Sequence, residues 1–448
     1  MLKPQPYKLI NSIQPYEWGA KGKNAFIPKL LNIKAEKDKT YAELWMGAHP
    51  KASSKIIVGG KEIDLAEVIR QYSREMLGNN VSKRFSDSLP FLFKVLSANE
   101  ALSIQVHPNK KQAIVLHKKD PINYHDSNQK LEIAIALDSL TSLVGFKPFK
   151  QIIKTFQDYP EIVKFVGERF INSILIKNLK TVKTVDMRKF NIVLGGINPA
   201  ENGNIYIPMN RFNRLQVLSE DGQKKFVRKV FSRLVKKSVS NEEGLKAAIE
   251  SLYKRLAKKR NPTEIEKYFL KLHRIYPMDI GLLILFFLNL VHLKRGEAIF
   301  TKPGIPHAYL KGNILECMSN SDNVIRAGLT PKYKDIGTLL KVLVYDLAAP
   351  QILKRQKKEN SIIYKMDAKE FEIQIFTSNK NELKFDNQVG PRILLVLEGA
   401  IKFLFMDGVK TKSEKILKGE SVLLPSILSN FKIASEKPSK FVLVSVPA

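Results

Sequence analysis

A chain of 448 residues is long for one hydrophobic core, so two or three domains are expected. Hydrophobic content of 44% and charged content of 26% are ordinary for a globular protein, and a single cysteine, Cys317, excludes an intramolecular disulfide framework. The one abnormal total is the net charge of +31, from 74 Lys and Arg against 43 Asp and Glu.

Such a balance suits nucleic acid, an anionic membrane surface or a phosphorylated substrate. Residues 211–260 carry 15 basic and 5 acidic side chains. No zinc finger, K-homology loop or aromatic RNA-binding signature accompanies them, so a solvated basic face is expected and nucleic-acid binding is not. The N-terminal residues Met1 to Pro6 lack the apolar core of a signal peptide. The longest apolar run, Gly281 to Val291, falls well short of the roughly 20 residues that span a bilayer. Bracketed by Asp279 and His292, it is expected to be a buried core element of a cytoplasmic enzyme or binding protein.

In chain order, Gln14 to Gly19 and Glu43 to Gly47 hold both tryptophans close to a glycine, which suits tight surface turns under a ring. Residues 62–88 have apolar side chains at helical spacing: Leu65, Val68, Ile69 and Tyr72. Leu89 to Leu96 reads as a strand containing one cation, Lys94, which must reach water, an anion or a carboxylate. Ser97 to Glu100 turns the chain into Leu102-Ser103-Ile104-Gln105-Val106-His107-Pro108. This stretch alternates with period 2, so Leu102, Ile104 and Val106 take one face and Ser103, Gln105 and His107 the other.

A polar loop, 122–128, precedes a strand from Lys130 to Leu137 on which Lys130 and Glu132 share a face. From about 150 to 277 helical spacing dominates, with Asn241-Glu242-Glu243 as a helix start. Strand and turn texture returns at Gly296 to Tyr309, Ile314 to Met318 and Ser321 to Lys332. Beyond Pro350 come short alternating strands: 371–376, 393–397, 401–405 and 422–424.

Gln105, His107, Glu132 and His307 are candidate ligands for one metal. Two imidazoles and a carboxylate commonly hold a catalytic zinc with an open position. A neutral glutamine leaves the ion at a formal charge of about +1, still a Lewis acid able to polarise a substrate oxygen. Taken singly, the Gln-x-His strand and the Pro303 to His307 turn fit a hydrogen-bonded core histidine equally well.

The run Leu102 to Pro108 resembles the zinc-site strand of the type I mannose-6-phosphate isomerases. So do Lys130-Leu131-Glu132, Pro306 to Tyr309, Glu316 to Met318, Tyr16 to Gly19, Phe91 to Leu96 and the long segment Ser321 to Lys332. The resemblance implies a mainly β protein: a cupin-type catalytic β-barrel, an α-helical insertion and a second, C-terminal cupin-like barrel. The corresponding divisions are 1–150 and 278–350 for the catalytic domain, 151–277 for the insertion and 351–448 for the C-terminal domain.

It implies interconversion of D-mannose 6-phosphate and D-fructose 6-phosphate through a cis-enediol, with one zinc per chain held by Gln105, His107, Glu132 and His307. Arg326 matches the family's active-site arginine. Glu316 and Lys130 are candidates for the base, and Ser103, Lys94, Tyr309 and Lys332 match substrate-pocket positions. Leu131 stands where the family often has proline. The insertion resembles the family only near Lys271 to His273 and Pro277 to Gly281, and the last 100 residues are loosely similar. The alternative function is a metal-binding cupin that senses a sugar phosphate without turning it over. A monomer is expected.

Overall fold

The computed structural model describes residues 2–171, 173, 174 and 218–447. Residues 172 and 175–217 of the expected insertion, and with them residues 211–217 of the basic segment, lie outside the described residues.

The site is carried by an antiparallel sheet whose main path runs Leu288–Lys294, Glu132–Phe146, His307–Ser319, Phe91–Ala98, Glu43–Met46, Ser12–Gln14. Ala298–Thr301 pairs with the start of the Glu132–Phe146 strand. Ile104–Val106 joins at His307 and pairs on its other side with Ile325–Gly328. Among the described residues, the pairings do not return this path to its first strand.

The sheet is nevertheless strongly curled. Glu132 stands opposite Met318, eleven residues beyond His307 on one strand. A flat, extended strand would separate those positions by roughly 36 Å, yet a Glu132 carboxylate oxygen lies 3.0 Å from His307. Register shifts between Ala136 and Leu140 and between Thr141 and Ser142 supply part of the bend. Gly312 sits at the first shift with φ of 140°, and a Cβ there would meet the Ser139 carbonyl at 2.1 Å.

Helices pack on one side of this sheet. Phe149–Asp158, Pro160–Val166, Glu220–Ser240, Glu242–Ala257 and Glu264–His273 form the described part of the insertion. The Asn241 side chain accepts from the Gly244 N–H and starts the fourth of these, as its sequence predicts. Phe226, Val230, Phe231 and Leu234 share one core cluster with Ile104, Val106, Ile325 and Ala327, so the insertion rests against the back of the site strands. Ile104 and Val106 are fully buried there, each worth roughly 1.5–3 kcal/mol of transfer free energy. Gln105, between them, faces the opposite way by the pleat.

The C-terminal part contains a seven-stranded sheet and a four-stranded sheet. The expected strands appear as Glu372–Ser378, Arg392–Glu398, Ala400–Asp407 and Ser421–Leu424. Tyr7–Lys8 pairs with Ser421–Leu424, so the first strand of the chain joins the last sheet-forming region.

Four readings change. Residues 62–64 belong to a hairpin, Lys55–Val58 with Lys61–Asp64, and helix begins at Leu65. Glu43–Met46 is a fully buried strand rather than a surface turn. The end of the 296–309 stretch and the segment 314–318 form one strand, His307–Ser319. Lys410–Leu417 is an additional strand, polar and exposed for most of its length. The run from Gly281 is buried as expected, passing through short helical turns into the Leu288–Lys294 strand.

Candidate active site

Arg326, Gln105 and His307 stand side by side across three adjacent strands, Gln105 paired with both neighbours. His107 follows immediately on the strand carrying Gln105. Its Nδ1 lies 2.7 Å from the Asn323 carbonyl, and Nδ1 of His307 lies 2.9 Å from the Ile305 carbonyl. A carbonyl can only accept, so both Nδ1 atoms carry hydrogen and both Nε2 lone pairs are free.

Those Nε2 atoms converge on Glu132. Oε1 is 3.3 Å from His107 and Oε2 is 3.0 Å from His307, and the Gln105 amide is 3.5 Å from His307 Nε2. The donor atoms of His107, Glu132 and His307 all lie within 4.8 Å of one another, and all three side chains are buried. Yet His107 Nε2 and Glu132 Oε2 make no hydrogen bond. Leaving such buried atoms unsatisfied costs about 1–3 kcal/mol each. A divalent cation at their centre would satisfy them, with the carbonyl oxygen of Gln105 as a fourth donor.

The protonation states suit a cation. Burial pushes His107 down to about 4, leaving a neutral imidazole at neutral pH. Burial opposes ionisation of Glu132, but the neighbouring Lys130 ammonium leads the effects that outweigh it and hold its carboxyl well below the usual range. Lys130 is 3.1 Å from Glu132 Oε1 and itself buried.

A second buried cluster lies on the neighbouring strands. Lys94 stands opposite Glu316 in register, and its Nζ is 3.3 Å from both Glu316 and Glu43. It also sits 4.9 Å from the centre of the Trp45 ring, whose indole N–H donates to Glu43 at 2.5 Å. Burial opposes the Lys94 charge, but Glu43 and Glu316 outweigh it and raise its pKa. For Glu316 burial wins over Lys94, and its carboxyl is pushed up. The Tyr309 phenol is buried and pushed well above its usual value by burial and then by Glu316.

Arg326 is half-buried, and among the described residues its guanidinium has no hydrogen-bond or ion-pair partner. Burial alone lowers its pKa. A desolvated guanidinium without a carboxylate is a ready anion receptor. Ser103 is half-buried just before the Ile104–Val106 strand, and Lys332 is exposed beyond Arg326. Neither side chain is bonded to the ligand cluster.

Sequence reasoning passed over Glu43 as a partner of Lys94, because a buried strand looked like a turn. It also missed His49, whose Nε2 is 3.2 Å from Asp322; Asp322 in turn pairs with Lys51 at 2.8 Å. His49, Lys51, Lys110, Asn128 and Asp322 line a cleft of about 920 Å³. Asp322 lies inside the Ser321 to Lys332 motif, so its position was visible but its partner was not.

Fold and site together define a class: a curled antiparallel sheet carrying a buried two-histidine, one-carboxylate centre able to hold a metal ion. Residues 7–149 match the family model of the phosphomannose isomerase type I catalytic domain, and residues 208–288 match that of its helical insertion domain. The mannose-6-phosphate isomerase of Cryptococcus neoformans is 35% identical over 78% of this chain and 76% of its own length. That of Saccharomyces cerevisiae is 33% identical over 91% of each chain. A mannose 6-phosphate isomerase from Salmonella typhimurium, solved with substrate (F6P) and zinc, superposes with a TM-score of 0.75 at 28% identity, covering 99% of this chain and 100% of its own. This chain belongs to the type I phosphomannose isomerase family.

Proposed function

We propose that this chain is a zinc-dependent aldose–ketose isomerase that interconverts D-mannose 6-phosphate and D-fructose 6-phosphate. The observation that carries the reading is the convergence of His107, Glu132 and His307, with Arg326 on the strand paired with Gln105. Gln105, His107, Glu132 and His307 would hold one zinc ion. When bound, the ion supplies a Lewis acid that stabilises negative charge on substrate oxygen.

The remaining chemistry belongs to side chains. Moving from aldose to ketose, a base takes the C2 proton, the released pair forms the C1–C2 double bond of a cis-enediol, and the C1–O1 double bond opens as O1 takes a proton. O2 then loses its proton to become the C2 carbonyl oxygen while the C1–C2 pair takes a proton at C1. Lys130 and Glu316 would be the groups that carry protons. Lys130 sits against the ligand carboxylate, and burial raises the pKa of Glu316, favouring its protonated form. Arg326 would stabilise charge developing on O1 or O2. Ser103, Tyr309 and Lys94 would line the sugar pocket, and the exposed Lys332 would meet the phosphate at its mouth.

We read the curled catalytic sheet and the C-terminal sheets as two cupin-type barrels, the first interrupted by the insertion and the second following it, with divisions near residues 150, 277 and 350. The curl that brings Glu132 to His307 supports this. The reading also includes a cytoplasmic monomer; no helix among the described residues is long and apolar enough to cross a membrane.

A coupled assay for fructose 6-phosphate, supplied with mannose 6-phosphate, tests the proposal. Turnover with about one zinc per chain is expected. Binding of mannose 6-phosphate without conversion would instead establish a sugar-phosphate sensor.

A further inference from the structure

The insertion returns to the sheet through Asp279 and Gly281, at the point where the strand carrying Arg326 ends. Asp279 is 8% exposed. Its Oδ1 accepts two backbone N–H groups, Gly281 at 2.7 Å and Leu329 at 2.6 Å, and its Oδ2 accepts Lys334 Nζ at 2.8 Å. One carboxylate therefore ties the end of the helical insertion to both ends of the segment 329–334, which holds Lys332.

Two features show that this junction is held rather than merely adjacent. Gly281 and Gly328 meet backbone to backbone: a Cβ on Gly328 would stand 2.4 Å from Gly281 Cα, and one on Gly281 would stand 2.4 Å from the Leu329 nitrogen. Leu329 itself has φ of 55°, the left-handed conformation that a leucine avoids unless its surroundings impose it. The N–H that this conformation presents is the one Asp279 accepts. Arg326 lies on the strand Ile325–Gly328, directly before the clamp, and among the described residues its side chain has no hydrogen-bond or ion-pair partner to orient it.

We infer that Asp279 is a positioning residue for the isomerisation: it fixes the backbone of residues 328–334 and thereby sets where Arg326 and Lys332 stand relative to the ligand cluster. It acts through Arg326 and touches no substrate. A misplacement of about 1 Å in such a group can cost up to about a hundredfold in rate.

The inference rests on the isomerase reading, and a double-mutant cycle separates the two. Asp279→Ala should lower kcat about tenfold while zinc content is retained, and Asp279→Asn, which keeps a neutral acceptor, should recover activity to within about threefold of the parent. In an Arg326→Lys background, where the guanidinium fork is already lost, Asp279→Ala should cost about twofold or less. If Asp279→Ala is too unstable to purify, Lys334→Met, which removes the Oδ2 contact of Asp279, carries the same cycle, and its loss must likewise shrink in the Arg326→Lys background. Equal losses in both backgrounds, or no loss in either, would overturn the role of Asp279. A parent chain that does not isomerise mannose 6-phosphate would overturn the functional reading instead.

Discussion

Lys94 stands directly opposite Glu316 on paired strands, with its ammonium 3.3 Å from that carboxylate and 3.3 Å from Glu43. All three groups are buried, so each depends on the others for solvation. Replacing the lysine by an isosteric apolar residue would leave two buried carboxylates facing each other. Lys94→Met is expected to lose about 3–5 kcal/mol of stability at neutral pH, measured by urea unfolding. The loss should shrink in acid as the carboxylates take up protons; a variant as stable as the parent would remove the cluster from the account.

Asp322 gives a pH dependence of defined sign. Burial raises its pKa, but hydrogen bonds from His49 and Lys51 outweigh burial and hold it below the value of 3.8. A folded-state pKa below the unfolded one contributes stability that is present above the unfolded value and lost as pH falls through the folded value. Asp322→Asn should therefore be less stable than the parent at neutral pH, and the difference should shrink progressively as pH falls below about 4. Parallel stability curves across that range would show that the pair contributes nothing.

Metal affinity should depend on a side chain that touches no metal. The Asn323 amide donates to the Asp126 carbonyl at 2.7 Å and the Asn128 carbonyl at 3.1 Å, and this loop presents the Asn323 carbonyl that orients His107. Asn323→Ala is expected to weaken zinc binding about tenfold or more, read by competition with a chromogenic chelator. Unchanged affinity would mean that the His107 ring is fixed by packing alone.

Arg326 should separate chemistry from metal retention. Arg326→Ala is expected to lower kcat by about 100- to 1,000-fold while about one zinc per chain remains. Loss of zinc in proportion to activity would assign Arg326 to the integrity of the Gln105 strand.

How much of this was legible in the sequence depended on the range of the contact. The alternation of Ile104, Gln105 and Val106 is local and correctly separated the buried face from the polar one. The Asn241 cap is local as well. The partnership of Lys94 with Glu43 and Glu316 is not, because it is written in the pairing of three strands drawn from distant parts of the chain. The continuous strand His307–Ser319 was hidden by Gly312, which marks a bend inside the strand and reads as a break. Lys410–Leu417 escaped because its mainly exposed side chains have no apolar alternation to betray it. The metal ligands were proposed from motif resemblance; only the curl of the sheet explains how Glu132 and His307, far apart in register, come to 3.0 Å.

The central claim is that the pocket of Gln105, His107, Glu132 and His307 holds the zinc on which isomerisation depends. Its most direct test is the rate of conversion of mannose 6-phosphate to fructose 6-phosphate, measured on one preparation before chelation, after it and after zinc is restored, with metal content determined each time. Activity should fall with zinc content and return with it, and His107→Ala should neither retain zinc nor recover. Undiminished turnover by thoroughly metal-free protein would contradict the account.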